Sequence, residues 1–151
     1  MKNIIEFKYF TGKTIISPQN KEIFEEMNII AYSHEFLIQE DILQYITPES
    51  ELLCMYKDNK LAAFSWIETD KQKQVAELCW FVINKKLIKG LESKKLLNKI
   101  LDHCKQNNIK SLKFNCAEQS WFRIKDKNSL FKNFGYNITE NEQEYDVSID
   151  I

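Results

Sequence analysis

The pattern of apolar and polar positions is most informative between Val75 and Cys116. Val75–Ile83 is a nearly continuous apolar run, which is typical of a central strand covered on both faces. A basic loop with one glycine, Gly90, follows it. The apolar residues then recur at helical spacing, at Leu96, Leu97, Ile100, Leu101 and Cys104. Ser93 is the expected N-cap of this helix, and Ile109–Cys116 predicts the next strand.

This order of strand, basic loop, helix and strand has two interpretations. The first N–H groups of a helix have no intrahelical partner, and the helix dipole is positive at that end. With Lys85, Lys86 and Lys89 beside them, these groups would form a cradle for phosphate. The alternative is an ordinary βαβ crossover with a solvated loop, because a single glycine is weak evidence for a phosphate site.

The N-terminal region predicts a strand and two helices. Ile4–Phe10 reads as a strand, and we expect Thr14–Ser17 to be a short partner strand after a turn. Ser17-Pro18 is typical of a helix start. A helical stripe follows it at Ile23, Phe24, Met27, Ile30 and Ala31. A second short helix is predicted over Glu35–Ile46, before Thr47-Pro48.

Five more segments complete the predicted elements. They are strands at Glu51–Tyr56 and Leu61–Glu68, a helix at Asn128–Phe134, and strands at Tyr136–Thr139 and Tyr145–Ile149. The turn Lys57–Lys60 would join the first two strands as a hairpin, and Gly135 would cap the helix in a left-handed conformation. The elements together predict a mixed α/β fold, a twisted and mostly antiparallel sheet with helices on both faces. No linker or repeat divides the chain, so we expect one domain over residues 1–151.

Composition narrows the class of function. Of the 21 basic residues, 20 are lysine and only Arg123 is arginine, and the net charge is −1. The chain therefore has almost no guanidinium groups for bidentate recognition of phosphates or bases, which argues against nucleic-acid binding. No apolar run approaches the ~20 residues that span a bilayer, and the N-terminus lacks a signal-peptide core, so no membrane association is expected. The four cysteines show no close pairing motif, and we expect reduced thiols in a cytoplasmic protein. With two histidines, no metal site is expected.

The order of elements over roughly residues 17–150 resembles the GNAT superfamily of acyl-CoA-dependent N-acetyltransferases. The local matches are the hairpin Lys57-Asp-Asn-Lys-Leu-Ala-Ala-Phe-Ser-Trp66, the strand end Trp80-Phe-Val-Ile83 and the segment Phe131-Lys-Asn-Phe-Gly-Tyr136. Phe131 stands where many members have the tyrosine thought to protonate the leaving thiolate. In the phosphate loop only Gly90 matches the family pattern.

Two registers of this loop are open. In one, Leu87 replaces the family's Arg or Gln, and Glu92 replaces its second small residue, which brings a carboxylate near the expected pyrophosphate. In the other, a one-residue insertion puts Ser93 at the small position.

The resemblance implies acetyl-CoA as a co-substrate and a primary amine of a small molecule or peptide as the acceptor. It implies that the central strand and the strand Ile109–Cys116 diverge at their C-terminal ends. Pantetheine would then pair with the backbone of the first strand, and a backbone N–H near Val82 would polarise the thioester carbonyl. The implied cofactor-binding residues are Phe81, Val82, Ile83, Ile88, Lys89, Gly90, Leu91, Glu92 and Ser93.

Two residues are candidates for catalysis. Glu77 is a carboxylate in an apolar strand, on the same face as Val75, Cys79 and Phe81 by simple alternation, where desolvation would make it a base for the amine. The alternative is that it reaches solvent or pairs with a lysine. Asn115 would hold a water or a substrate amide, or make a structural hydrogen bond.

Two functions fit this sequence. One is an N-acetyltransferase, and the other is a degenerate GNAT-fold module that binds an acyl-CoA or a protein without efficient catalysis. Leu87, Glu92 and Phe131 favour the module, whereas the lysines and Gly90 favour the enzyme. A homodimer is left open.

Overall fold

A computed structural model describes residues 4–32, 45–88, 90–117, 135–140 and 144–151. Within these residues, seven strands form one sheet in the order β1-β2-β3-β4-β5-β7-β6. The strands are β1 (Ile5–Thr11), β2 (Glu51–Lys57), β3 (Lys60–Asp70), β4 (Val75–Ile83), β5 (Ser111–Ala117), β6 (Gly135–Glu140) and β7 (Glu144–Asp150). The helices are α1 (Gly12–Ile15), α2 (Lys21–Tyr32), which a short 3₁₀ turn precedes, and α3 (Gly90–Gln106). Only the β4–β5 pair is parallel among the described strands, so the predicted mixed, mostly antiparallel fold is confirmed.

Local sequence determines most of these elements. The β2–β3 turn has Asp58 and Asn59 at φ 51° and 66°, the left-handed pair that a tight hairpin of this twist requires. Pro18 begins the turn before α2, as the Ser17-Pro18 signal predicted, although the Ser17 side chain makes no capping hydrogen bond. The strand Val75–Ile83 has the predicted bounds.

Three local predictions are wrong. Thr14–Ser17 is not a strand, because the Thr11 hydroxyl accepts a hydrogen bond from the Thr14 N–H (3.2 Å) and starts α1. The partner of β1 is β2 instead. Ser93 is not an N-cap, since α3 begins at Gly90. Gly135 begins β6 without a positive φ. The helix predicted at Asn128–Phe134 and almost all of that at Glu35–Ile46 lie outside the described residues.

The sheet carries an apolar core on each face. On one face α3 packs against β2, β3, β4 and β5, and buries Leu96 and Ile100 together with Met55 and Ile67. On the other face Met27 and Ile30 of α2 pack with Phe64 and Trp66 of β3 and with Val82. The predicted helices on both faces of the sheet are therefore present. Cys54 and Cys104 are buried free thiols, and Cys79 is a partly buried one.

One stripe of α3 is attached to β1 and β2 by side-chain contacts along its length. Glu92, in the first turn, forms an ion pair with Lys57 of β2. Two turns later the Lys99 ammonium lies 5.3 Å from the centre of the Phe7 ring in β1. In the last turn the His103 ring packs against Tyr9, and its Nε2 lies 3.5 Å from Glu51 Oε1. These contacts set the rotation of α3 about its own axis.

Candidate active site at the β4–β5 fork

The predicted divergence of the central strands is confirmed. The β4 and β5 strands pair only at Val75–Glu77 with Ser111–Lys113. Beyond that point β5 continues to pair with β7 and β4 with β3, but not with each other. The backbone of β4 from Leu78 to Ile83 therefore has no strand partner on its β5 side among the described residues. Unpaired N–H and C=O groups along such an edge are available to an extended ligand.

A β-bulge lies where the fork opens. Trp66 of β3 pairs with Trp80, whereas the next residue, Ile67, pairs with Leu78, so Cys79 is an extra residue on β4. A bulge bends its strand and increases the local twist, which accounts for the separation of β4 from β5 at this point.

The bulge also changes which residues share a face. Phe81 packs in the α3-side core, whereas Cys79, Trp80 and Val82 pack on the α2 side. The prediction that Glu77 and Phe81 share a face is therefore wrong, because simple alternation fails across the inserted residue.

Glu77 lies at the apex of the fork, as the last residue of β4 that pairs with β5. Its side chain is exposed, so the apolar surroundings expected from the sequence are not found there. Glu77 pairs across the sheet with Glu68 of β3, and directly opposed residues share a face. The two carboxylates also affect the neighbouring thiol of Cys79. Burial chiefly, and then the charges of Glu77 and Glu68, raise the pKa of Cys79 to about 11.

Glu68 is held in place by two donors. The indole Nε1 of Trp66 donates to its Oε1 at 2.7 Å, and the Ser50 hydroxyl donates to the same oxygen. Ser50 is itself fully buried. The Glu68 carboxylate is thus oriented by buried partners, while Glu77 beside it extends into solvent.

The loop after β4 leads to the N-terminus of α3. Asn84 organises the turn, because its N–H donates to Ala62 O (2.8 Å) and its carbonyl accepts from the N–H groups of Leu87 and Ile88. Ile88 is buried and anchors the loop to the α3-side core, while Lys85 and Lys86 are exposed. Gly90 starts α3, so the first N–H groups of a 17-residue helix follow the fork strand.

The remaining predicted residues are distributed along the same region. Leu91 and Ser93 lie in the first turn of α3, and Asn115 lies on β5 beyond the point where it leaves β4. Asn115 pairs with Asp146 of β7 in the sheet register. Lys89 lies outside the described residues, as does Phe131.

Two side chains of this region, Lys57 and Ser50, were not identified from the sequence. Lys57 contacts the loop and α3 from β2, and its partner Glu92 is 35 residues away, so no local signal indicates the pair. The Ser50–Glu68 contact likewise joins distant positions. Within the described residues, no cluster of three or more histidine, cysteine or acidic side chains is arranged to hold a metal ion. None of the described helices has the length and apolarity to cross a membrane.

Comparison with solved structures identifies the fold. Tetrahymena GCN5 superimposes with a TM-score of 0.72 at 14% identity, covering 97% of this chain and 96% of that chain. The PaiA N-acetyltransferase of Thermoplasma acidophilum, solved in complex with coenzyme A, gives 0.67 at 14% identity, with 98% and 99% covered. A CoA-dependent acyl-homoserine lactone synthase, BjaI, solved with SAM and isopentyl-CoA, gives 0.71 at 8% identity, with 98% and 84% covered.

These similarities establish the fold of the GNAT superfamily of acyltransferases for this chain. A search of curated proteins finds no match to the sequence, and no protein-family profile matches it either. At such low identities the similarity shows the fold alone.

Proposed function

We propose that this protein is an N-acetyltransferase that transfers an acetyl group from acetyl-CoA to a primary amine of a small molecule or peptide. The observation that carries the proposal is the fork: β4 leaves β5 after Glu77, and the N-terminus of α3 follows at the end of the β4 loop. An unpaired strand edge suits the amide groups of pantetheine, and a helix N-terminus suits a pyrophosphate.

The cofactor would lie along Phe81, Val82 and Ile83, with its pyrophosphate at the loop from Ile88 to Ser93. The free N–H groups of the first turn of α3 would bind the phosphate oxygens. The exposed Lys85 and Lys86 would add positive charge near the entrance. Complexes with coenzyme A and isopentyl-CoA on this fold support acyl-CoA as the ligand class.

The reaction would begin when the neutral amine attacks the thioester carbonyl carbon. A backbone N–H near Val82 would stabilise the oxyanion of the tetrahedral intermediate. Collapse of the intermediate forms the amide and expels the coenzyme A thiolate. The proton lost by the amine would pass to Glu77, through water because Glu77 is exposed, and Glu77 would pass it on through water to the thiolate. Asn115, on the opposite arm of the fork, would hold a water or a polar group of the acceptor.

The two carboxylates at the apex support a cationic acceptor. Glu68 and Glu77 oppose each other across β3 and β4, and a protonated primary amine is favoured beside them. The free thiols of Cys54, Cys79 and Cys104 support a cytoplasmic location, where thiols stay reduced.

The competing function is a module that binds an acyl-CoA without efficient transfer. The exposure of Glu77 favours it, since an exposed carboxylate lacks the desolvation that strengthens a base.

Cofactor binding is tested by thermal unfolding with coenzyme A and acetyl-CoA. A ligand that binds only the folded state stabilises it by about 2.7 kcal/mol at a hundredfold excess over Kd. Wild-type protein should therefore melt at a higher temperature with millimolar ligand. No shift would reject the cofactor assignment.

Catalysis is tested by thiol release with acetyl-CoA and a panel of polyamines, amino acids and peptides. Glu77→Gln should keep coenzyme A affinity and reduce kcat by about 10²–10⁴-fold. Glu6→Gln, an exposed carboxylate on β1, is the matched control and should leave the rate unchanged. A Glu77→Gln rate equal to wild type would remove Glu77 from the mechanism. Coenzyme A binding without transfer to any acceptor would support the binding module instead.

A further inference from the structure

The first turn of α3 carries a carboxylate at the place where a pyrophosphate is expected to bind. Glu92 lies two residues after Gly90, at the positive end of the helix. A carboxylate there competes with a bound anion for the same N–H groups and repels its charge. The fold must either direct this carboxylate away from the fork or lose affinity for phosphate.

Lys57 holds the Glu92 carboxylate. Its Nζ lies 2.9 Å from Glu92 Oε2 and 3.1 Å from Oε1, and it also donates to the carbonyl of Leu87 at 3.1 Å. The two side chains are only 19% and 26% exposed, so the pair is shielded from solvent. Three acceptor atoms surround an ammonium group that has three donors. Lys57 is thus engaged by protein acceptors from both the loop and the helix.

The position of Lys57 determines where the Glu92 carboxylate points. Lys57 ends β2, which is separated from β4 by β3, on the side of β4 away from β5. The fork lies on the opposite side of β4, between β4 and β5. With strands about 4.8 Å apart, β2 is roughly 10 Å from β4 and further from the fork. The Glu92 carboxylate is therefore directed toward β2 and away from the fork.

We infer that Lys57 is a positioning residue for the phosphate loop. It neutralises Glu92 and turns its carboxylate away from the fork, so that an anion can bind at the start of α3. This inference rests on the proposed function, because it concerns the binding of coenzyme A at that helix N-terminus. In the register that puts Glu92 at the second small position of the family pattern, it also explains how a glutamate is tolerated there.

The test is calorimetric titration of coenzyme A into six proteins: wild type, Lys57→Met, Lys57→Arg, Glu92→Gln, the double variant Lys57→Met/Glu92→Gln, and Lys60→Met. Lys57→Met should weaken binding roughly tenfold at low salt, because the Glu92 charge then acts on the pyrophosphate, and less at high salt. The double variant should return to within about twofold of wild type, since no carboxylate remains. Lys60→Met removes the same charge from the exposed end of the same hairpin and should bind as wild type.

Rescue separates charge positioning from a general structural effect. The inference is overturned if Lys57→Met binds coenzyme A as tightly as wild type does. It is also overturned if the double variant keeps the reduced affinity of Lys57→Met at both salt concentrations. In either case the proposed function stands. Lys57→Arg should retain wild-type affinity, because it keeps the charge at this site. If wild-type protein binds no coenzyme A, the proposed function fails, and this inference fails with it.

Discussion

Replacement of Glu51 by glutamine should destabilise the protein in a way that depends on pH. Glu51 begins β2, and its carboxylate joins three elements: the Thr69 hydroxyl donates to Oε2 at 2.7 Å and the Tyr9 hydroxyl to Oε1 at 3.1 Å. His103 Nε2 of α3 is buried 3.5 Å from Oε1, which is too long for a good hydrogen bond, and the two groups form an ion pair only when the imidazole is protonated. Glu51→Gln keeps the shape and removes the charge.

The size of the effect follows from these contacts. The His103 contact, and then the hydroxyls, hold the pKa of Glu51 below its usual 4.5, while burial opposes them. Hydrogen bonds to a charged group contribute about 1.5–3 kcal/mol when buried and less where solvent screens them. For this partly exposed cluster we expect a loss of about 1–2 kcal/mol at pH 7. That corresponds to a fall in Tm of roughly 2–8 °C for a chain of this size.

The lowered pKa of Glu51 determines how the destabilisation changes with pH. Because the folded-state pKa of Glu51 is lowered, its contribution is complete above the unfolded value of 4.5 and is lost as pH falls through the folded value. Urea unfolding of wild type and Glu51→Gln from pH 7 to pH 3 should therefore converge at the acid end. Glu49→Gln, an exposed carboxylate two residues earlier, should unfold as wild type throughout. A constant difference across this range, or none at pH 7, would refute the argument.

Two further predictions concern Gly12 and Cys54. A Cβ at Gly12 would lie 1.7 Å from the Thr47 carbonyl oxygen, so Gly12→Ala should cost about 2–4 kcal/mol in urea unfolding, whereas Lys13→Ala should cost little. Burial chiefly raises the pKa of Cys54 to about 12, so its stabilisation is complete below pH 9 and falls as pH rises toward 12. Cys54→Ala should lose less stability than wild type between pH 8 and 11, and parallel curves would contradict this.

The elements that could be predicted from sequence are those with a complete local signal. The hairpin turn at Asp58-Asn59 and the apolar strand Val75–Ile83 are read from adjacent residues, and both agree with the structure. The short segment after Thr11 was misread because its apolar residues suit a strand, whereas a single hydroxyl cap decides for a helix. In this four-residue segment the cap outweighs the strand propensity of the isoleucines.

The candidate site was predictable in outline but not in its side-chain geometry. The family resemblance, which rests on the order of elements, implies the fork, and the pairing of β4 and β5 places it after Glu77. The bulge at Cys79 has no clear sequence signal, and one inserted residue moves Phe81 to the other face. The Lys57–Glu92 pair connects residues that are distant in sequence, and only the packing of α3 on β2 brings them together.

The rotation of α3 about its axis links these separate contacts to the fork. Glu92 and His103 are 11 residues apart, which is roughly 16 Å along a helix, and both face the β1–β2 side of the sheet. A helix held at two such distant points cannot turn at one end alone. Because successive helical residues are about 100° apart, a rotation by one residue would carry Glu92 away from Lys57. The contacts with Lys57 and Glu51, at opposite ends of β2, therefore determine which groups of the first turn of α3 an anion would meet.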